Sequence, residues 1–122
     1  MILADTSVWI DHLRSGNAEL REQLHLGQIV IHPFIITELA LGSPRGRNRT
    51  LALLDLLPHV RAAHASEVRL AIESRRLYNL GIALTDAHLI ASVLIDAPTR
   101  LWTRDKRLRK AAEALGINAA LN

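Results

Sequence analysis

The opening stretch Met1-Ile-Leu-Ala-Asp-Thr-Ser-Val-Trp-Ile-Asp-His-Leu13 constrains the fold more than any other part of the chain. Ile2-Leu3-Ala4 is a short apolar run that stops abruptly at Asp5. A second apolar pattern follows at Val8, Trp9, Ile10 and Leu13. This predicts a buried strand, a turn able to cap a helix, and then the helix itself. An acid at such a junction has two readings. It can satisfy backbone donors at the helix start, or it can face a ligand, because ligands of open α/β sheets sit beyond the carboxyl ends of the strands.

The rest of the chain alternates in the same way. Ser15-Gly16-Asn17 is a turn, with Asn17 capping a helix through Leu26 that Gly27 closes. Ile29-Val30-Ile31 is a second strand, stopped at His32, and Pro33 opens the helix Phe34–Leu41. Gly42 to Arg49 has loop composition. A helix over Leu51–Leu57 ends at Pro58, and Val60–Ala65 is a candidate third strand. Ser66 opens a helix to Leu80, closed by Gly81. An apolar helix, Ala87–Ile95, follows Leu84-Thr85-Asp86 and breaks at Ala97-Pro98. Arg100–Thr103 is a fourth strand, Asp105–Leu115 a helix, and Ile117 a possible fifth strand. Strands alternating with helices predict a parallel sheet covered on both faces. At 122 residues the chain is expected to form one domain, 1–122.

Composition narrows the function classes. With two Trp, one Tyr and one Phe, an aromatic platform for stacking single-stranded bases is not expected. Thirteen Arg against two Lys, at a net charge of +3, suit contacts to a polyanion. Without cysteine there is neither a disulfide nor a thiolate metal site. The six His show no metal-like pairing and are expected to be structural or superficial. No signal peptide or membrane span is visible, so a soluble, cytoplasmic protein is expected, with no membrane partner.

Four acids stand in unusual surroundings. Asp5 and Asp105 each follow an apolar strand at its C-terminal end. Glu38 is the only charge in Phe34-Ile-Ile-Thr-Glu-Leu-Ala-Leu41, on a surface that should be packed. Asp86 begins an apolar helix, over Leu89, Ile90 and Val93. Capping competes as an explanation for Asp86 and Asp105; a buried ion pair with an Arg competes for Glu38. Taken together, four carboxylates at one sheet edge would repel and need cations. Hard divalent ions bind oxygen donors and can activate water against a phosphodiester.

These pieces resemble the PIN-domain ribonucleases, specifically the VapC-type toxins of toxin–antitoxin pairs. The matching segments are Ile2-Leu-Ala-Asp5-Thr-Ser-Val-Trp-Ile10, Thr37-Glu38-Leu, Thr85-Asp86-Ala-His-Leu-Ile-Ala-Ser92 and Trp102-Thr103-Arg104-Asp105, in family order and across essentially the whole chain. The resemblance implies a three-layer α/β/α sandwich with a central, mostly parallel sheet of four or five strands. It implies an endoribonuclease in which Asp5, Glu38, Asp86 and Asp105 hold Mg²⁺ or Mn²⁺, with Thr6 and Thr103 as supporting hydroxyls. It also implies RNA as substrate, a small VapB-type antitoxin as partner, and a homodimer. Many relatives carry a further acid where this chain has Arg107, which implies that a second metal binds weakly or only with substrate. Arg104 and Arg107, beside Asp105, are placed to meet a substrate phosphate or neutralise the acids; Arg45, Arg47 and Arg49 are further candidates for RNA phosphate contact.

Two other function classes remain open on the sequence. An aspartate-nucleophile phosphotransferase would use Asp5 at the strand end, although the chain lacks a second acid two places on. A non-catalytic module would keep the fold and bind through its arginines.

Overall fold

Two strands, Ile2–Ala4 (β1) and Arg100–Trp102 (β3), each place consecutive, fully buried residues on opposite faces of one sheet: Leu3 with Ala4, and Leu101 with Trp102. Successive strand residues point to opposite sides, so both faces of this sheet are covered. In the computed structural model, which describes residues 1–121, a third strand, Ile29–Val30 (β2), completes the sheet in the order β2-β1-β3. Both pairings are parallel, with Leu3 opposite Val30 on one side and Leu101 on the other.

The connecting helices are Thr6–Ser15 (α1), Ala18–His25 (α2), Pro33–Ala40 (α3), Arg47–Asp55 (α4), Ala65–Arg75 (α5), Leu84–Ile95 (α6) and Lys106–Ala114 (α7). Local chemistry sets their starts. Asp5 caps α1 through Val8 N–H, and Asn17 caps α2 through Leu20 N–H. His32 Nδ1 accepts from Phe34 N–H at 2.9 Å, just before Pro33 opens α3. None of the helices among the described residues is long and apolar enough to cross a membrane.

Among the described residues the sheet has three strands, not four or five. At the expected third strand, pairing stops after one parallel bridge between Ile31 and His59. Beyond Val60 the backbone donors turn to side chains near the end of α6: Arg61 N–H to Asp96 (3.2 Å) and Ala63 N–H to Ser92 (2.9 Å). The expected fifth strand is likewise a single bridge, Leu101 to Asn118. Two helix boundaries also differ. The second half of the Gly42–Arg49 loop is the first turn of α4. The helix expected to reach Leu80 ends at Arg75, because Arg76 (φ 54°) and Asn79 (φ 62°) turn left-handed.

This topology has one switch point. The chain leaves β1 towards β2 on one side and returns to β3 on the other, so a crevice opens beyond the carboxyl ends of β1 and β3. Asp5 follows β1 and Thr103 follows β3.

Candidate active site

Asp5 lies at the bottom of that crevice and is 4% exposed. Its backbone N–H donates to Trp102 O at 2.9 Å, which locks it to the end of β3. Its Oδ1 accepts from Ser7 Oγ (2.5 Å) and Val8 N–H (3.2 Å), and its Oδ2 accepts from Thr103 Oγ1 (2.5 Å). Burial pushes the Asp5 carboxyl above the ordinary carboxylate range; the Ser7, Thr103 and Val8 hydrogen bonds pull it back without cancelling the rise.

The two hydroxyls do more than hold Asp5. Ser7 Oγ accepts from Arg104 N–H at 2.9 Å, and Thr103 Oγ1 accepts from Asp105 N–H at 3.0 Å. Asp105 in turn caps α7, its Oδ1 accepting from Leu108 N–H at 2.9 Å. The sequence places Ser7, with Thr6, in the turn that orients Asp5, but not among the supporting hydroxyls, where the structure puts it. Arg109, unmarked in the sequence, donates to Thr103 O at 3.0 Å.

Glu38 is mid-helix in α3, and Thr6 Oγ1 donates to its Oε1 at 2.5 Å. Asp86, at the start of α6, accepts from Ala83 N–H through Oδ2 at 3.1 Å. Burial raises the Asp86 carboxyl above its ordinary range. The Ala83 bond opposes this, and the charges of Asp5, Asp105 and Glu38 add to it. The four acids therefore share one electrostatic neighbourhood, and three of them also cap helices, so capping does not exclude a ligand role. Among the described residues no ion pair reaches any of the four; the pair present is Arg104 with Asp11 at 3.7 Å. Nor are three His, Cys, Asp or Glu side chains gathered tightly enough to hold an ion as they stand, again among the described residues.

The PIN-domain family model matches residues 2–114 of this chain. The chain belongs to the PIN-domain family. It is also 44% identical, over 98% of its length and 97% of theirs, to two proteins named Ribonuclease VapC32 from Mycobacterium tuberculosis, strains CDC 1551 / Oshkosh and ATCC 25618 / H37Rv. Within the family it is of the VapC type.

The arginines of this PIN domain divide. Arg104 is exposed next to Asp105 and reaches back to Asp11 on α1. Arg107 lies across Gly81, where an added Cβ would sit 2.8 Å from its guanidinium. Arg47 is occupied at the end of α3, donating to Ala40 O (2.6 Å) and Gly42 O (3.2 Å). Arg45 and Arg49 are exposed, and Arg45 lines a cavity beside Glu38.

Proposed function

We propose that this protein is a divalent-metal-dependent endoribonuclease of the VapC toxin type, cutting RNA phosphodiester bonds at the Asp5–Glu38–Asp86–Asp105 crevice. One observation carries the reading. The charges of Asp5, Glu38 and Asp105 all reach Asp86 and add to its cost of ionisation, and among the described residues none of the four has a cationic partner. Such a set is stable in its charged form only with a cation.

The donor set fits Mg²⁺ or Mn²⁺. All four are oxygen donors, and each is anchored in a way that leaves coordinating capacity. Glu38, Asp86 and Asp105 each accept through one oxygen, which leaves the other. Asp5 accepts two bonds at Oδ1 but one at Oδ2, so a lone pair remains there. When bound, the ion supplies Lewis acidity and an acidified water for phosphodiester hydrolysis. Thr103 and Ser7 fix the Asp5 carboxylate, Thr6 orients Glu38, and the capped helix starts hold Asp86 and Asp105 facing the same crevice. Arg104 and Arg107, on either side of Asp105 in sequence, are the arginines placed to meet a substrate phosphate.

An aspartyl nucleophile is disfavoured by the same geometry, since Asp5 is buried under three hydrogen bonds. The family type carries with it a small VapB-type antitoxin and a cytoplasmic setting. Exposed Leu41 (87%) and Leu56 (81%), at the ends of α3 and α4, suit burial against that antitoxin or in a homodimer. Incubating single-stranded RNA with the purified protein and Mg²⁺ or Mn²⁺ tests the activity. Cleavage should require the metal and vanish in Asp5→Asn; equal cleavage by both proteins overturns the assignment.

A further inference from the structure

Beside Glu38, on the side away from the sheet, α1, α3 and the loop between α3 and α4 enclose a cavity of about 460 Å³, within the range of small-molecule sites, about 300–1,000 Å³. Ile10 and Leu13 from α1, with Leu39 from α3 and Pro44 from the loop, give it apolar walls. Arg14 and Arg45 line it as well, and Glu38 is the one acid in its lining. Ile10 is 41% exposed, although Val8 and Trp9 just before it are buried. The α1 residues recur at the spacing of one helix face, Ile10, Leu13 and Arg14, so apolar wall and cation belong to the same surface.

The loop wall is held in place. Arg47 clamps the end of α3 through Ala40 O and Gly42 O, and Thr50 Oγ1 donates to Arg45 O at 2.9 Å. Two residues of α4 thus fix the segment that presents Pro44 and Arg45.

We propose that this cavity is a subsite for one nucleotide of the RNA, the one adjoining the scissile phosphate. The proposal rests on the ribonuclease reading and adds a substrate position to it. The aliphatic walls cover the face of a base, a role that needs no aromatic residue. The two guanidinium groups take the phosphate leading away from the cut, with bidentate geometry that suits it. Glu38 belongs to both cavity and acidic crevice, so a strand seated here continues directly to the metal site. A phosphate is repelled at the Glu38 end and attracted at the arginine end, which fixes the direction in which the nucleotide lies.

Methyl-labelled Asp5→Asn protein titrated at low salt with 5′-AMP, GMP, CMP and UMP reads this without catalysis. Saturable shifts are expected at the Ile10, Leu13 and Leu39 methyls. On the same background R14Q/R45Q weakens the binding about tenfold, and R14K/R45K, which keeps the charge without the bidentate geometry, restores only part of it. In the active protein, R14Q/R45Q acting on a randomised single-stranded RNA pool raises KM more than it lowers kcat and flattens the base preference beside the cut. Unmoved cavity methyls, or unchanged KM and base preference in a protein that cuts RNA, overturn the proposal alone; the cavity would then be left to a protein partner. A wild-type protein that cuts no RNA with either ion removes the ribonuclease reading and this subsite with it.

Discussion

The two halves of the acidic cluster are built differently. Asp5 and Asp105 sit at strand ends and are interlocked: Thr103 bonds both, Ser7 bonds Asp5 and the Arg104 backbone, and Asp5 N–H is fixed to Trp102 O. Glu38 and Asp86 stand on helices, and among the described residues each carboxylate accepts a single hydrogen bond, from Thr6 Oγ1 and from Ala83 N–H. The strand half is a fixed platform whose position follows from the sheet. The helix half is tied through one hydrogen bond each on α3 and α6, and we propose that it is the movable half, able to close on a cation. Removing a hydroxyl that ties the fixed half together should therefore cost structure and function together, whereas neutralising Asp5 without removing its hydrogen bonds, or loosening the movable half, should cost function with little loss of stability.

Asp5→Asn gives the largest expected effect and separates charge from scaffold. We predict that it lowers RNA cleavage about 100-fold or more, because the most buried of the proposed ligands loses its charge. Its fold should persist. The Asp5 carboxyl is raised by burial, so ionising it costs folded-state stability as pH rises through the carboxyl range. The Asn variant avoids that cost. In metal-free buffer it should be at least as stable as wild type at pH 7, with the difference closing towards acid pH, as followed by urea unfolding. Marked destabilisation at pH 7 would show that the charge itself holds the platform together.

Thr103→Val tests the interlock next. It deletes the donor to Asp5 Oδ2 and the acceptor for Asp105 N–H in one step. Leaving buried polar groups unpaired costs about 1–3 kcal/mol each, so a loss in that range is expected from denaturant curves, together with weaker cleavage. Stability unchanged within error would mean that Asp5 is held by Ser7 and Val8 alone.

The same division explains what was legible in the sequence. Asp5 and Asp105 stood out because an apolar triplet, an acid and a helix start are neighbours in the chain. Glu38 stood out as the only charge in an apolar helix. Ser7 did not, since its meaning comes from Arg104, 97 residues away. The sheet was overcounted for a similar reason. Val60 and Ala63 are buried as a strand's residues would be, but the donors that follow Val60 are taken by Asp96 and Ser92, and no local pattern announces a side chain as the partner. Arg47 was assigned to a loop by composition, and its place in α4 follows from the carbonyls it meets at the end of α3.

An acid titration sharpens the contrast at the helix that carries Glu38. His32 caps α3 through Nδ1, is 1% exposed, and has its Nε2 without a partner among the described residues. Burial, then the nearby His88 and His59, push it down from 6.5 to about 4. Between those values the unfolded chain binds a proton that the folded chain refuses. Stability therefore falls as pH drops through this window, by at most about 1.4 kcal/mol per pH unit from this one group. His32→Asn keeps a cap acceptor and should remove that slope. Hydrogen exchange should show α3 loosening before α1 as wild type is acidified. Equal loosening of both helices would mean that the two halves of the cluster are one unit.

Thr6→Val carries the smallest expected effect and bears most directly on the movable half. It removes the hydroxyl donated to Glu38 and leaves the Asp5 network untouched. The site is half-buried and water can take the place of the lost donor, so a stability change under about 1 kcal/mol is expected. Activity should fall a few-fold, recovering as Mg²⁺ or Mn²⁺ is raised, because a cation can orient Glu38 in place of the hydroxyl. A loss as deep as that of Thr103→Val, and insensitive to metal, would place Glu38 on the fixed platform with Asp5. A loss that metal repairs would place it in the half that closes when the ion arrives.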